Sequence, residues 1–354
     1  MNRFTYAANA VRVVFGEGSL ARVGDEIERL RSGRVLVLST PGHRTHAERV
    51  ADILGVRAAG VFDGAAMHVP IEIALAARAK ARNVDADTLV AIGGGSTTGL
   101  AKAIALEHPL PIVAIPTTYA GSEATPIYGL TEGGIKRTGR DAKVSPKVIL
   151  YDPLLTFDLP VGLTVASAMN AIAHAAEGLY AADRNPVSDL MAEAGIRAIA
   201  SAIPRITINL RDVHARADCL YGAWLCGTVL GTVGMALHHK LCHALGGTFN
   251  LPHAQTHACM LPHALAYNSQ EAASAMARIA TAIGRPHAPS GLYDLAREHG
   301  ATMSLRELGL RASDLDRAAD LAIADPYANP RPLSRDGLRA LLEAAWRGDR
   351  PAEA

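Results

Sequence analysis

Histidines placed four residues apart are the first chemistry this sequence offers. Asn170 and His174 share the spacing that puts two side chains on one helical face, and His239 and His243 repeat it. His253 follows shortly after, behind Leu251-Pro252. A lone histidine of this kind is more often a satisfied structural residue. Two such pairs and a third segment could converge on one point, to hold a metal ion or relay a proton. His238 adjoins His239 but points about 100° away around the helix, which leaves it outside the cluster. His257 and His263 stay open as members. His43, His46, His68, His108, His214, His287 and His299 read as surface or capping residues. The cysteines form no C-x-x-C pair: Cys219 and Cys226 read as core packing, Cys242 as a buried small hydrophobe beside His243.

A second group of residues could hold a phosphate. Gly93-Gly94-Gly95-Ser96 follows the apolar run Thr88–Ile92 and opens a helical stretch. Glycines let a backbone approach phosphate oxygens, and the N–H groups of a helix start favour an anion. The same residues would also serve a plain tight turn. The motif is not Gly-x-Gly-x-x-Gly, and it follows a later strand than in the usual dinucleotide fold. Thr117 and Thr118, again just beyond an apolar run, suit ribose, phosphate or nicotinamide contacts, or an ordinary polar loop. Ser39 and Thr40 stand where an acidic residue would bind the ribose 2′-hydroxyl and repel a 2′-phosphate. Neither does so, which predicts tolerance of both NADH and NADPH. The candidate cofactor residues are therefore Ser39, Gly93, Gly94, Gly95, Ser96, Thr117 and Thr118.

The elements that must carry these groups change character along the chain. Arg34–Ser39, Gly60–Asp63, Thr88–Ile92, Pro111–Ile115 and Lys147–Asp152 are short apolar runs separated by helix-length segments, among them Pro70–Asn83 and Thr98–Leu106. That alternation predicts a parallel sheet with right-handed crossovers. Met1–Phe15 alternates like a further strand. From about Val161 the spacing turns helical: Ala166–Ala182, Pro186–Ala202, Val213–Leu230, Met235–Leu245, Glu271–Ala282 and Arg335–Arg347. The expectation is an α/β nucleotide-binding domain over residues 1–158 and an all-helical domain over 159–354, with the site in a cleft between them.

Composition removes several function classes. At 354 residues about two domains are expected. Hydrophobic residues at 49% and charged residues at 19% support a buried core. Lys and Arg number 35 against 34 Asp and Glu, with no basic cluster, so no nucleic-acid partner is expected. No run of ~18 or more apolar residues is free of charge, so no membrane span is expected, and the N-terminus lacks the regions of a signal peptide. Four cysteines in such a length make no disulfide framework. A cytoplasmic enzyme is the expectation.

Taken together, Phe15–Leu20, Gly93–Ser96, Pro116–Thr118, Asn170–Glu177, His243–His253, Leu261–His263 and Tyr267-Asn268 resemble the iron-containing (group III) alcohol dehydrogenases over nearly the whole chain. The resemblance implies the fold of that family, shared with dehydroquinate synthase: an α/β domain with a parallel sheet and an all-α C-terminal domain. The N-terminal strand and the apolar helices predict a homodimer. Asn170–Glu177, Leu237–His243 and Pro326–Pro332 look like one branch of it. That branch reduces the double bond of a 4-oxo-2-enedioate to 3-oxoadipate with NADH or NADPH, in aromatic-compound breakdown. The family holds a divalent metal, iron or zinc, on an Asp and three His, matched here by Asn170, His174, His239 and His253. Asn170 replaces the anionic ligand, so metal binding is expected to be weak or absent. His243 matches the family's non-ligand histidine beside the nicotinamide. The implied catalytic residues are His243, His253 and His239. A dicarboxylate substrate calls for cations, for which Lys240 and Arg331 are candidates, with Tyr327, Asn329 and Asn170 as further contacts. Lys240 could instead be a solvated helix residue, and Arg331 could pin a loop. The alternative is a metal-dependent alcohol dehydrogenase or carbonyl reductase of the same family.

Overall fold

Short apolar runs become strands here because both of their faces are covered. The computed structural model describes residues 4–8, 10–133, 135–324 and 327–352. The chain divides into a unit of residues 8–158 and a unit beginning at Leu159, with residues 4–7 grouped with the latter.

The first unit holds strands β1 (Arg12–Phe15), β2 (Val35–Leu38), β3 (Ala58–Phe62), β4 (Thr88–Gly93), β5 (Ile112–Pro116), β6 (Ile127–Glu132), β7 (Ile135–Arg140) and β8 (Val148–Tyr151). Its helices are α1 (Val23–Arg29), α2 (Arg44–Leu54), α3 (Ile71–Asn83) and α4 (Gly95–Glu107). Six strands form one parallel sheet in the order β1-β8-β5-β4-β2-β3. Alternate residues separate into two layers, as the period of two requires. Val35, Val37, Val90, Ile92, Val113 and Ile115 pack with Val23 and Ile27 of α1 and Val50 of α2. Leu36, Leu38, Leu89, Ala91 and Ile112 pack with Ala77 of α3 and Leu100 and Ile104 of α4. The chain leaves β2 outward to β3 and returns to the other side of β2 as β4. The order therefore reverses between β2 and β4, where open α/β sheets bind ligands beyond the strand ends.

Two expectations are corrected here. Of the strand expected over Met1–Phe15 only β1 forms, because its partner β8 offers four residues to pair with. The described residues just before β1 have no regular structure, and Met1–Arg3 and Asn9 lie outside the described residues. The sheet also has an unforeseen companion, the antiparallel hairpin β6–β7, whose largely polar strands carry no strong apolar alternation.

The second unit is helical: α5 (Val161–Gly178), α6 (Pro186–Ile208), α7 (Val213–Thr232), α8 (Leu237–Phe249), α9 (His253–Asn268), α10 (Ala273–Ile283), α11 (Ala288–Glu298), α12 (Leu315–Ile323) and α13 (Arg335–Arg347). Asn185 starts α6 with a reciprocal capping box with Ser188, and Asp212 caps α7 through Ala215 N. α5 is buried from Thr164 to Gly178, which its Ala-rich sequence permits by letting neighbouring helices approach closely. α9 goes beyond the sequence expectation, since Pro262 lies inside it and interrupts the helical reading. Among the described residues no single helix is long and apolar enough to cross a membrane, and one bent pair, α7 with α8, meets that composition only jointly.

Candidate functional site

Each unit carries its own group of candidate residues. In the first, the chain beyond β4 turns on Gly93, whose φ of +149° lies where L side chains strain, and a Cβ there would strike Thr97 Oγ1. A Cβ on Gly94 would come within 3.0 Å of the Thr118 methyl carbon. Thr117 N donates to Gly93 O, binding the β4 and β5 tips together. The hydroxyls of Ser39, Thr97 and Ser122, at or near the strand tips, are buried and have no hydrogen-bond partner among the described residues. α4 has no acidic residue in its first turn. A backbone cradle at the start of a helix whose first turn is free of acidic residues, with hydroxyls in reserve, fits a dinucleotide phosphate.

Sequence reasoning missed Lys102 of α4. Its buried Nζ donates to Ser122 O (2.6 Å), Thr125 O (2.7 Å), Thr125 Oγ1 (2.9 Å) and Ile127 O (2.7 Å). It thereby fixes the loop whose Ser122 lies beside Gly95. Burial pushes the amine down to about 7, against the pull of Glu123. A lysine inside the apolar stretch Leu100–Ala105 was the available signal.

In the second unit, α5, α8 and α9 bring imidazoles together. His174 Nδ1 lies 2.8 Å from His239 Nε2, and His239 Nδ1 lies 2.7 Å from Glu177 Oε2. Glu177 is fully buried and also accepts from Ala236 N (2.8 Å) and His238 N (2.7 Å). Burial alone would raise its carboxyl, but the His239 and backbone hydrogen bonds hold it below the ordinary carboxylate value. Glu177 thus fixes Nδ1 of His239 as the donor and leaves Nε2 facing His174. It was missed as a functional residue because no spacing rule linked it to His239, 62 positions away.

His238 corrects a sequence expectation. It does point away from His239, but α9 packs on α8 and meets it there with His257. Its Nε2 lies 2.9 Å from His257 Nδ1, and Cys242 Sγ lies 3.7 Å from the same nitrogen. His257 in turn has its ring 4.4 Å from that of His253 and 5.2 Å from that of His239. Burial pushes both His238 and His257 well below the ordinary histidine value, with neighbouring imidazoles adding to it. The His243 ring stands 6.3 Å from that of His239, one turn along α8. Asn170 is buried on α5, one turn before His174.

The remaining candidates lie around α8 and α9. Lys240 Nζ sits 5.7 Å above the Tyr327 ring. Arg331 stacks 4.3 Å over Tyr267 and donates to its carbonyl. Asn329 exchanges hydrogen bonds with Asn268. Arg331 and Asn329 thus hold their segment to α9, while Pro326 of that motif lies outside the described residues.

Family models match both halves of the chain: "Iron-containing alcohol dehydrogenase" over residues 10–153 and "Fe-containing alcohol dehydrogenase family, C-terminal" over residues 164–346. The chain belongs to the iron-containing alcohol dehydrogenase family and is an oxidoreductase. It is similar to the maleylacetate reductase of Burkholderia cepacia, 60% identical over 352 residues that cover 99% of this chain and 100% of that protein. The crystal structure of the maleylacetate reductase from Agrobacterium tumefaciens superposes with a TM-score of 0.94 at 52% identity, covering 99% of this chain and 100% of the other. A crystal structure from Ralstonia eutropha JMP134, described as an alcohol dehydrogenase, gives 0.98 at 62% identity with the same coverage.

Proposed function

We propose that this chain is a maleylacetate reductase, converting maleylacetate to 3-oxoadipate with NADH or NADPH in the cytoplasm. A homodimer belongs to the same reading, supported by β1, which ends the sheet. The observation that carries the chemistry is the Glu177–His239–His174 hydrogen-bond chain beside the neutral Asn170.

Maleylacetate places an alkene between a ketone and a carboxylate, so reduction can occur at the alkene carbon β to the ketone. A bound reduced nicotinamide supplies the hydride. Negative charge then develops on the ketone oxygen as an enolate, and the α carbon needs a proton. That demand is met by hydrogen-bond donors and one acid, without a metal to polarise a carbonyl. His243 delivers the proton and His253 donates to the enolate oxygen, while His239, held between Glu177 and His174, orders the cluster. Lys240, turned toward Tyr327, is the cation for a substrate carboxylate.

The metal donor set is three imidazoles and an amide, and the nearby Glu177 carboxylate is already committed to His239 and two backbone N–H groups. A divalent ion there would keep its full +2 charge in a largely buried place, which does not fit tight binding. No step above runs through a metal.

The test is oxidation of NADH by freshly generated maleylacetate, on protein stripped with chelator and assayed for residual metal. Full turnover with far less than one metal per chain is expected. Activity that disappears on stripping and returns with iron or zinc would favour the metal-dependent reading.

A further inference from the structure

We propose that His43 binds the pyrophosphate of the cofactor, an inference that rests on the dinucleotide reading above. His43 belongs to the turn after β2, yet its Nε2 lies 3.3 Å from Oγ1 of Thr117, the first residue after β5. Its Nδ1 lies 2.9 Å from Thr40 Oγ1. β4 stands between β2 and β5 in the sheet, so the imidazole spans the carboxyl end of β4. That is the position of the Gly93–Gly95 turn, to which Thr117 is itself hydrogen-bonded. This corrects the sequence reading of His43 as a surface or capping residue: it is half-buried and joins three strand tips.

The surroundings are those of an anion site. The strands β4 and β5 bring no charged side chain, and α4 has no acidic residue in its first turn. Thr97 Oγ1 and Ser122 Oγ are buried and without partners in the same cradle. A pyrophosphate laid on the glycine turn falls within reach of the imidazole, and replacing the long Thr117 contact by a phosphate oxygen makes a shorter, charge-assisted bond.

Among the described titratable groups, His46 stacks on His43 at 5.7 Å, and the adjoining Arg44 is engaged by Glu48 (2.8 Å) and Asp63 (2.9 Å). Burial, and then the His46 ring, hold His43 below the ordinary histidine value, so it is neutral near pH 7 in the free protein. A phosphate at its Nε2 favours the imidazolium. Binding then takes up a proton, and affinity is greatest at low pH and falls as pH rises through the bound-state pKa.

The experiment is isothermal titration calorimetry with NADH, NADPH and ADP-ribose between about pH 6 and pH 8, in buffers of differing ionisation heat. The proteins are the full-length wild type, His43→Gln and His46→Gln, with the Tm of each recorded. For the wild type, proton uptake is expected with all three ligands, with affinity falling about tenfold across the range. His43→Gln should bind about tenfold more weakly at pH 6 and without proton uptake, while His46→Gln keeps the uptake. Wild-type affinity and uptake in His43→Gln would overturn the proposal. Uptake with NADPH alone would also overturn it, moving His43 to the ribose 2′-phosphate. A wild type that binds none of the ligands would instead defeat the dinucleotide reading itself, which keeps the two failures apart.

Discussion

The unit of residues 8–158 and the helical unit after it build their candidate sites from different materials. The first uses backbone: a glycine turn at +149°, amides at a helix start, and hydroxyls held in reserve. The second uses side chains: imidazoles from three helices, ordered by one buried carboxylate. A backbone cradle tolerates most changes of side chain around it but no added Cβ. A side-chain cluster is the reverse, because each proton position depends on the neighbouring ring.

Substitutions should respect that division, and the largest effect is expected in the helical unit. His243→Ala should lower kcat by about 10²–10⁴-fold, the usual range for a lost general acid, while calorimetric NADH affinity stays within about twofold. A kcat within about threefold of wild type would end the proton-donor role. A parallel loss of NADH affinity would erase the contrast between the units.

Next in size is Glu177→Gln. It should cost about 10–100-fold in kcat with little change in KM, since it disturbs the orientation and tautomer of His239 but no dinucleotide contact. Glu177→Asp, which keeps the charge but shortens the reach, should recover part of the loss. If both variants lose activity equally while their Tm falls together, Glu177 only supports the fold.

Gly93→Ala tests the other side. The methyl would meet Thr97 Oγ1 in a backbone conformation that alanine disfavours, so destabilisation of about 1–3 kcal/mol and a large loss of NADH binding are expected. Unchanged binding would show that the cradle is not the phosphate site. A last effect, silent at neutral pH, concerns acid. His263 on α9 is buried, which pushes its pKa down to about 4 despite Asp349. The unfolded chain takes up this proton near pH 6.5, so stability is full above that value and falls by about 1.4 kcal/mol per pH unit as pH drops toward 4. Chemical denaturation of His263→Gln against wild type should show that slope reduced. Equal slopes would mean that His263 is already protonated when folded.

The difference between the units also explains which parts were legible in the sequence. β2, β4 and β5 could be read because a strand covered on both faces must be apolar throughout, and their tips followed directly as Ser39, Gly93–Ser96 and Thr117. The pairing of His174 with His239 was readable only in outline, through the repeated spacing of four. Glu177 and Lys102 were not readable as functional, and His257 only as an open member of the cluster. Each acts on a group contributed by another element: His239 on α8, the Ser122–Ile127 loop, and His238 on α8. For His238 the rule that adjacent helical residues diverge is correct. The rule says nothing about whether a second helix waits in the other direction.

By itself the sequence determined the alternation of the first unit, the helical nature of the second and the glycine turn. These follow from periodicity and backbone freedom, which are local properties, whereas Asn170 as a neutral residue in place of an acidic ligand came from the family resemblance. Only the tertiary structure decided which imidazole nitrogens face one another, that Glu177 is the anion ordering them, and that His43 crosses from β2 to β5. Proton positions and electrostatics in a buried site depend on distances of about 3 Å between groups far apart in the chain, and no local pattern encodes those distances.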